Sequence, residues 1–208
     1  MMKVVILAAG DFPKSEYPIG ILKSADKIVC CDSAADALVE FGAIPDYIIG
    51  DLDSVSEETR AKMADRLILN NDQETNDLTK AFEFALTHSP SEIHILGATG
   101  KREDHTLGNI SLLADYVLMT SAAIDMITDY GKFVVINSNA SIPCKTWIEI
   151  SLVSFDKTLK IHTEGLQYPT DDVVFDTLWK ATLNKALSDS FSVEMNHPAP
   201  LIIFLERN

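Results

Sequence analysis

Residues 48–55 read Ile-Ile-Gly-Asp-Leu-Asp-Ser-Val, so an apolar run enters Asp51 and a second carboxylate follows two positions later at Asp53. In an extended segment, residues i and i+2 face the same side. Two carboxylates held there repel at neutral pH unless a cation lies between them. Oxygen donors of this kind suit a hard divalent ion, most plausibly Mg2+ carrying phosphate. A helix cap needs only one carboxylate, and the pair therefore points to a metal site more than to a polar turn.

Four other apolar runs end in residues of matching chemistry. Gly10 follows Ile-Leu-Ala-Ala, Asp32 follows Lys-Ile-Val-Cys-Cys, and Gln73 and Asp77 follow Arg-Leu-Ile-Leu. The fourth, Glu-Ile-His-Ile-Leu, leads into Gly-Ala-Thr-Gly-Lys-Arg-Glu-Asp-His, which holds Thr99, Gly100, Lys101, Arg102, Asp104 and His105. Glycine turns bring backbone amides close to phosphate, and Arg102 can grip a phosphate through two parallel hydrogen bonds. Plainer roles exist for single residues: Asp32 or Asp77 as a helix N-cap, Arg102 as the surface partner of Glu103 or Asp104. The turn is no Walker A loop, because Ile95 stands where the first glycine belongs and Arg102 where the magnesium-binding hydroxyl belongs. His105 beside Asp104 suggests a base, but no nucleophile is placed for it, and His88, His94, His162 and His197 lack metal-ligand spacing.

The elements that must carry these residues alternate. Lys-Val-Val-Ile-Leu-Ala, Lys-Ile-Val-Cys-Cys, Asp-Tyr-Ile-Ile-Gly, Arg-Leu-Ile-Leu, Glu-Ile-His-Ile-Leu-Gly and Ala-Ile-Asp-Met-Ile-Thr have the composition of buried strands. Between them, stretches beginning at Ser33, Ser56, Asn76 and Asp104 repeat apolar residues every three or four positions, with Leu78, Phe82, Ala85 and Leu86 on one stripe and a capping box from Ser54 to Glu57. This alternation predicts an open, mostly parallel sheet with helices on both faces, Rossmann-like in plan, in which ligands gather beyond the carboxyl ends of the strands. After about residue 128 the pattern changes to short strand-like runs, Asp-Val-Val-Phe-Asp-Thr among them, separated by Pro, Gly, Asn, Asp and Ser. Only Leu178–Leu187 looks mildly helical. The second part is expected to be a small antiparallel β-sandwich or barrel.

With 208 residues the chain is long enough for one large or two small cores. A formal net charge of −14 disfavours nucleic acid as a partner. No apolar run approaches the roughly 18 residues that span a membrane, and the opening Met-Met-Lys-Val-Val-Ile-Leu-Ala-Ala-Gly has no signal-peptide core, so a soluble cytoplasmic protein is expected. Cys30, Cys31 and Cys144 form neither a disulfide framework nor a spaced zinc motif.

Three ordered blocks of this chain resemble those of the thiamine pyrophosphokinase family, in its bacterial form. Residues 31–55 are similar to a D-G-G-A block followed by P-D-x-x-x-G-D-[FL]-D-S, residues 72–82 to D-Q-x-x-x-D-x-x-K-A, and residues 97–113 to G-x-x-G-G-R-x-D-H-x-L-x-N. Glu164–Pro169 resembles the family's G-L-x-Y-P-L and Ala186–Phe191 its G-x-S-N-x-F. The resemblance implies an enzyme that moves the β,γ-pyrophosphoryl group of ATP onto thiamine, giving AMP and thiamine diphosphate. It implies Mg2+ on Asp51, Asp53 and Asp77, with Asp32 close by, and catalysis by these aspartates with Arg102. Nucleotide contacts would come from Gly10, Asp32, Gln73, Thr99, Gly100, Lys101, Arg102, Asp104 and His105, and thiamine contacts from Ser188 and Asp189. Residues 1–128 would be the ATP- and Mg-binding α/β domain and 129–208 the thiamine-binding and dimerisation domain of a homodimer whose active site lies where the subunits meet. Ser33 and Ala34 replace the family's two glycines, Lys101 its second glycine in G-G-R, and Asp189 its asparagine. Two rival readings are a Mg-dependent phosphatase like the haloacid dehalogenases, with Asp51 as nucleophile, and a nucleotide-sensing module without catalysis.

Overall fold

Strand β1 (Lys3–Leu7) buries four consecutive side chains, Val4 to Leu7, because a central parallel strand is covered on both faces and has no use for polar alternation. The computed structural model describes residues 2–207 and divides into two compact units, Met1–Leu112 with Thr120–Asp129, and Leu113–Met119 with Tyr130–Asn208. In the first unit the chain continues through α1 (Glu16–Lys23), β2 (Lys27–Cys31), α2 (Ala34–Glu40), β3 (Tyr47–Gly50), α3 (Glu57–Lys62), β4 (Leu67–Leu69), α4 (Asp77–Leu86), β5 (Glu92–Leu96), α5 (Glu103–Met119) and β6 (Ala123–Ile127). The strands lie in the order β6-β5-β1-β2-β3-β4, and every neighbouring pair among them is parallel. The chain therefore winds outward from β1 to β4, then returns to lay β5 on the other side of β1. That reversal opens a crevice beyond the carboxyl ends of β1 and β5.

One face of this sheet packs Val5, Leu7, Cys30 and Ile48 against Leu22 of α1 and Ala34, Ala35 and Leu38 of α2. On α4, which packs against β1, β2 and β3, Leu78, Ala81, Phe82 and Ala85 are buried. The stripe expected from the sequence on α4 is thus the one that turns inward. The capping serine of α3 is Ser56, whose hydroxyl accepts from the Thr59 amide at 3.2 Å; the capping box expected at Ser54 starts two residues too early. Helix α1 has no counterpart in the sequence reading. It carries Pro18 in its first turn, where a missing N–H is harmless, and its entry is fixed by Asp129, which accepts from the Lys14 and Ser15 amides and the Ser15 hydroxyl.

The second unit contains β7 (Gly131–Ile136), β8 (Ala140–Pro143), β9 (Glu149–Val153), β10 (Ile161–Glu164), β11 (Ala181–Lys185), β12 (Ser190–Met195) and β13 (Leu201–Glu206). Antiparallel strands run β11-β9-β13-β7 in one layer and β10-β12-β8 in the other. Between the layers, Ile150, Leu152, Leu201 and Ile203 meet Ile142, Ile161, Phe191 and Val193, which makes this unit a small sandwich. Two local expectations fail here. The stretch that looks helical, Leu178–Leu187, contains β11 instead: pairing with β9 outweighs a weak helical pattern, and a bulge with Leu183 at φ +59° interrupts its register. Residues 172–177 form turns rather than a strand, with Phe175 plugged into the core and the flanking aspartates suited to turns.

Midway along β5 and β6, register places His94 beside Asp125. His94 Nδ1 lies 2.6 Å from Asp125 Oδ1 and its Nε2 3.4 Å from Glu92 Oε2. Burial alone would push the imidazole pKa down, but the bond and charge of Asp125, with Glu92 behind them, carry it above its ordinary value. Because His94 binds its proton more tightly folded than unfolded, its contribution is complete below the unfolded value near 6.5 and fades as pH rises through the folded one. Asp125→Asn should therefore cost about 1–3 kcal/mol at pH 6, with the gap to wild type narrowing at higher pH in urea unfolding titrations. A gap independent of pH would contradict a charged His94.

Candidate active site

The loops beyond β1, β2, β3, β4 and β5 converge on a cavity of about 390 Å³. Gly10 enters it from the first loop, Asp32 and Ser33 from the second, Ser54 from the third, Asp77 from the fourth, and Thr99, Lys101, Arg102 and His105 from the fifth and the start of α5. The first and fifth loops touch backbone to backbone. Gly10 N–H donates to Gly97 O at 2.6 Å and Asp11 N–H to Thr99 O at 2.8 Å. A Cβ on Gly10 would lie 2.4 Å from Gly97 O, so only glycine permits this closure. Lys101 Nζ donates to Ala9 O at 2.9 Å, a second tie between the same two loops, and Asn109 Nδ2 of α5 donates to Ala98 O at 2.8 Å, which holds the fifth loop on its own helix.

Carboxylates gather at the ends of β2 and β3. Ligand atoms of Asp32, Asp51 and Asp53 lie within 4.8 Å of one another, the group among the described residues that has metal-binding proximity. Their convergence has a different cause from the one the spacing suggests. The strand ends at Gly50, and Leu52 is buried with φ +64°, so a turn, not strand alternation, brings Asp51 and Asp53 together; the Asp53 amide donates back to Asp51 Oδ1 at 3.3 Å. Asp32 is buried at 7 % exposure, sits at φ +44°, and its Oδ1 has no hydrogen-bond partner. Desolvation raises its pKa first, and the negative charges of Asp77, Asp51 and Asp53 raise it further, against a hydrogen bond from the Ser54 amide. A buried acceptor without a partner is costly, and a divalent cation would supply the missing one. The residues present therefore fit a hard cation.

None of these carboxylates is spent on a helix end. Asn76, not Asp77, caps α4, its Oδ1 accepting from the Thr79 amide at 2.9 Å, and Ser33 rather than Asp32 precedes α2. Asp77 stands in the first turn of α4, 3.1 Å from the Nζ of Lys80. Gly50 lies between Asp77 and Asp32: a Cβ there would meet Asp32 Cβ at 3.1 Å and Asp77 Oδ1 at 3.4 Å. Arg102 forks onto Asp104 through Nε and Nη2, which holds the exposed Asp104 carboxyl down at a pKa of about 2. His105 lies in the first turn of the same helix. Gln73 is exposed in the loop between β4 and α4 and does not line the cavity. Burial pushes the thiols of Cys30 and Cys31 up, as suits inert core residues.

In the second unit, Ser188 and Asp189 occupy the exposed turn before β12. Ser188 Oγ donates to Ser190 O at 2.6 Å, and Asp189 O accepts from the Cys144 amide at 2.9 Å. The sequence reading missed Ser33, Ser54 and Asn109 on the cavity wall and the buried Lys80 beneath it. The signal for Lys80 was its place three residues after Asp77 on one helix face.

Two family models match the chain: residues 20–126 fit "Thiamin pyrophosphokinase, catalytic domain" and residues 131–204 fit "Thiamin pyrophosphokinase, substrate-binding domain". A Bacillus subtilis thiamine pyrophosphokinase is 36 % identical over 118 residues, covering 54 % of this chain and 55 % of that protein. Thiamine pyrophosphokinase 1 of Oryza sativa is 37 % identical over 82 residues, 33 % of this chain and 30 % of the relative. The chain thus spans about half or less of the length of the curated relatives it matches. Among solved structures, a Bacillus subtilis thiamine pyrophosphokinase aligns with TM-score 0.81 at 22 % identity over 99 % of both chains. A thiamin pyrophosphokinase from Candida albicans aligns with TM-score 0.85 at 19 % identity, over 100 % of this chain and 89 % of its own.

A cation on Asp32 should appear as stability. At a Mg2+ concentration 100 times its dissociation constant, wild type should gain about 2.7 kcal/mol, and Asp32→Asn should lose that increment. Without divalent ions, lowering the pH from neutral through the elevated Asp32 titration point should stabilise wild type, since the folded state holds that proton more tightly; Asp32→Asn should lack this rise. Thermal unfolding with EDTA or Mg2+ reads both, and an undiminished Mg2+ increment in Asp32→Asn would contradict the assignment.

Proposed function

The chain belongs to the thiamine pyrophosphokinase family, and on that premise we propose that it transfers the β,γ-pyrophosphoryl group of ATP, as one unit, to the hydroxyethyl oxygen of thiamine. The products are AMP and thiamine diphosphate. The observation that carries this reading is the unpartnered, buried Oδ1 of Asp32 facing Asp51 and Asp53 beside a cavity at the sheet's reversal point.

Asp51, Asp53 and Asp77 would hold Mg2+, with Asp32, whose oxygen groups with those of Asp51 and Asp53, as a further carboxylate for it. Bound there, Mg2+ supplies charge neutralisation for the phosphates and for the charge that grows on them during transfer. The protein's own share is positioning. Backbone amides of the fifth loop, at Thr99 and Gly100, offer donors to phosphate oxygens, and Gly10, whose own amide is committed to Gly97 O, lets the nucleotide approach the first loop closely. Lys101, Arg102 and His105 line the cavity, where the ammonium and guanidinium would meet the anionic tail of the nucleotide. Asp104 keeps the Arg102 fork in one orientation until phosphate competes for it. Gln73 reaches the nucleotide from its exposed loop. Such a reaction is mostly alignment and electrostatic stabilisation, so the thiamine hydroxyl needs no strong base.

For the acceptor, Ser188 and Asp189 serve as thiamine contacts, the carboxylate of Asp189 complementing a cationic thiazolium. Residues 1–128 act as the nucleotide- and cation-binding part and 129–208 as the thiamine-binding and dimerisation part of a cytoplasmic homodimer whose active sites form where subunits meet. Among the described residues no helix is long and apolar enough to cross a membrane.

Incubation with ATP, Mg2+ and thiamine should yield AMP and thiamine diphosphate in equal amounts. Asp53→Asn, a change at an exposed position, should lower AMP release by about 10²-fold or more while the far-ultraviolet dichroism spectrum stays that of wild type. ADP in place of AMP, or near-normal turnover by Asp53→Asn, would sink the reading.

A further inference from the structure

The loop after β3 is held from outside at two points. Asp32, just ahead of α2, accepts from the Ser54 amide. Asp36, four residues later in the first turn of α2, accepts from the Ser56 amide at 3.1 Å through Oδ2 and from the Ser56 hydroxyl at 2.6 Å through Oδ1. Asp51 and Asp53 lie between these holds and the end of the strand at Gly50. Bonds within the loop, from the Asp53 amide to Asp51 and from the Ser54 hydroxyl to Asp53, shape it without anchoring it. Arg60 Nε donates to Val55 O at 3.1 Å, but Arg60 belongs to α3 and moves with the loop. Asp36 reaches it from a separate element. Burial opposes charge on Asp36, yet the Ser56 and Thr59 hydroxyls and the Ser56 amide hold its carboxyl below the ordinary carboxylate range. Asp36 itself neither lines the cavity nor joins the grouped oxygens of Asp32, Asp51 and Asp53.

We infer that Asp36 is a positioning residue for the divalent cation: by holding Ser56 it fixes the far end of the loop and keeps Asp51 and Asp53 turned toward Asp32 before any cation arrives. The inference rests on the nucleotide–Mg2+ reading of the cavity. Carboxylate oxygens within 4.8 Å of one another repel while no cation lies between them. That repulsion pushes the loop away from Asp32, and a tie to α2 resists it. Partners that orient metal ligands from outside the coordination sphere act in this way, by keeping the ligands where the ion needs them.

The test compares wild type, Asp36→Asn and Asp36→Ala, each well below its melting temperature. Asn can accept from the Ser56 amide through Oδ1 and donate from Nδ2 to the Ser56 hydroxyl, so it keeps the tie without the charge; Ala loses both. Mn2+ binding, followed by electron paramagnetic resonance, should be about tenfold weaker in Asp36→Ala. Asp36→Asn should stay within about threefold of wild type, the weight of one solvent-screened charge. Asp36→Ser, polar but too short to reach Ser56, should repeat the Ala result and serves where the Ala variant does not fold. In metal-free protein the Ser56 amide should exchange with deuterium faster in Asp36→Ala than in wild type or Asp36→Asn. Equal losses of Mn2+ affinity in Asn and Ala would mean that the charge acts and the tie does not, which overturns the inference. A lower melting temperature with unchanged Mn2+ affinity leaves Asp36 purely structural and overturns it too, as does unchanged exchange at Ser56. Wild-type protein that binds no Mn2+ removes the metal reading and this inference together; wild-type affinity retained by Asp36→Ala removes the inference alone.

Discussion

Like charge confined at the end of a parallel sheet governs this site. Asp32 is buried with one oxygen unpartnered, and three further carboxylates press on it. Such an arrangement opposes folding unless a cation relieves it, and the surrounding structure is arranged to hold it regardless. Asp32 is kept at positive φ between β2 and α2, Gly50 lets Asp77 approach from the next strand, and Ser56 and Asn76 cap their helices so that no carboxylate is diverted to that task. One acid is matched by Lys80 within the protein.

The order of the strands explains why these groups meet. Because β5 returns to the far side of β1, the loops after both strands open away from each other and leave a crevice. At its base the two loops are joined by the bonds of Gly10 with Gly97 and of Asp11 with Thr99. Lys101 reinforces the contact through the Ala9 carbonyl, and Asn109 holds the fifth loop on α5 through the Ala98 carbonyl. Lys101 and Arg102 therefore stand on tied loops and the grouped carboxylates at strand ends, all inside one unit. The second unit follows different rules: β9, β10 and β12 alternate buried and exposed residues, as strands of a two-layer sandwich must.

Much of this was legible in the sequence. Continuous apolar runs named the parallel strands, because burial on both faces leaves no other composition available, and the residues after those runs include Gly10, Asp32, Asp77, Thr99, Lys101, Arg102 and His105 of the cavity lining. What stayed hidden depended on long-range partners. Helix α1 is set by Asp129, more than a hundred residues away, and its Pro18 masks the helical pattern. Residues 178–187 became a strand because β9 was there to pair with them. Asp51 and Asp53 were found for a partly mistaken reason, since Leu52 turns the chain where an extended path was assumed. The grouping of Asp32 with that pair, and of Asp77 with Lys80, is a matter of burial and rotamer, which spacing does not encode.

The most direct measurement is the position of a cation. Crystals grown with Mn2+ and α,β-methylene-ATP and examined by anomalous scattering should place a manganese peak among oxygens of Asp32, Asp51, Asp53 and Asp77, with the phosphates between it and Arg102. A peak held without Asp51 and Asp53, or none at the ends of β2 and β3 while nucleotide fills the cavity, would contradict the account.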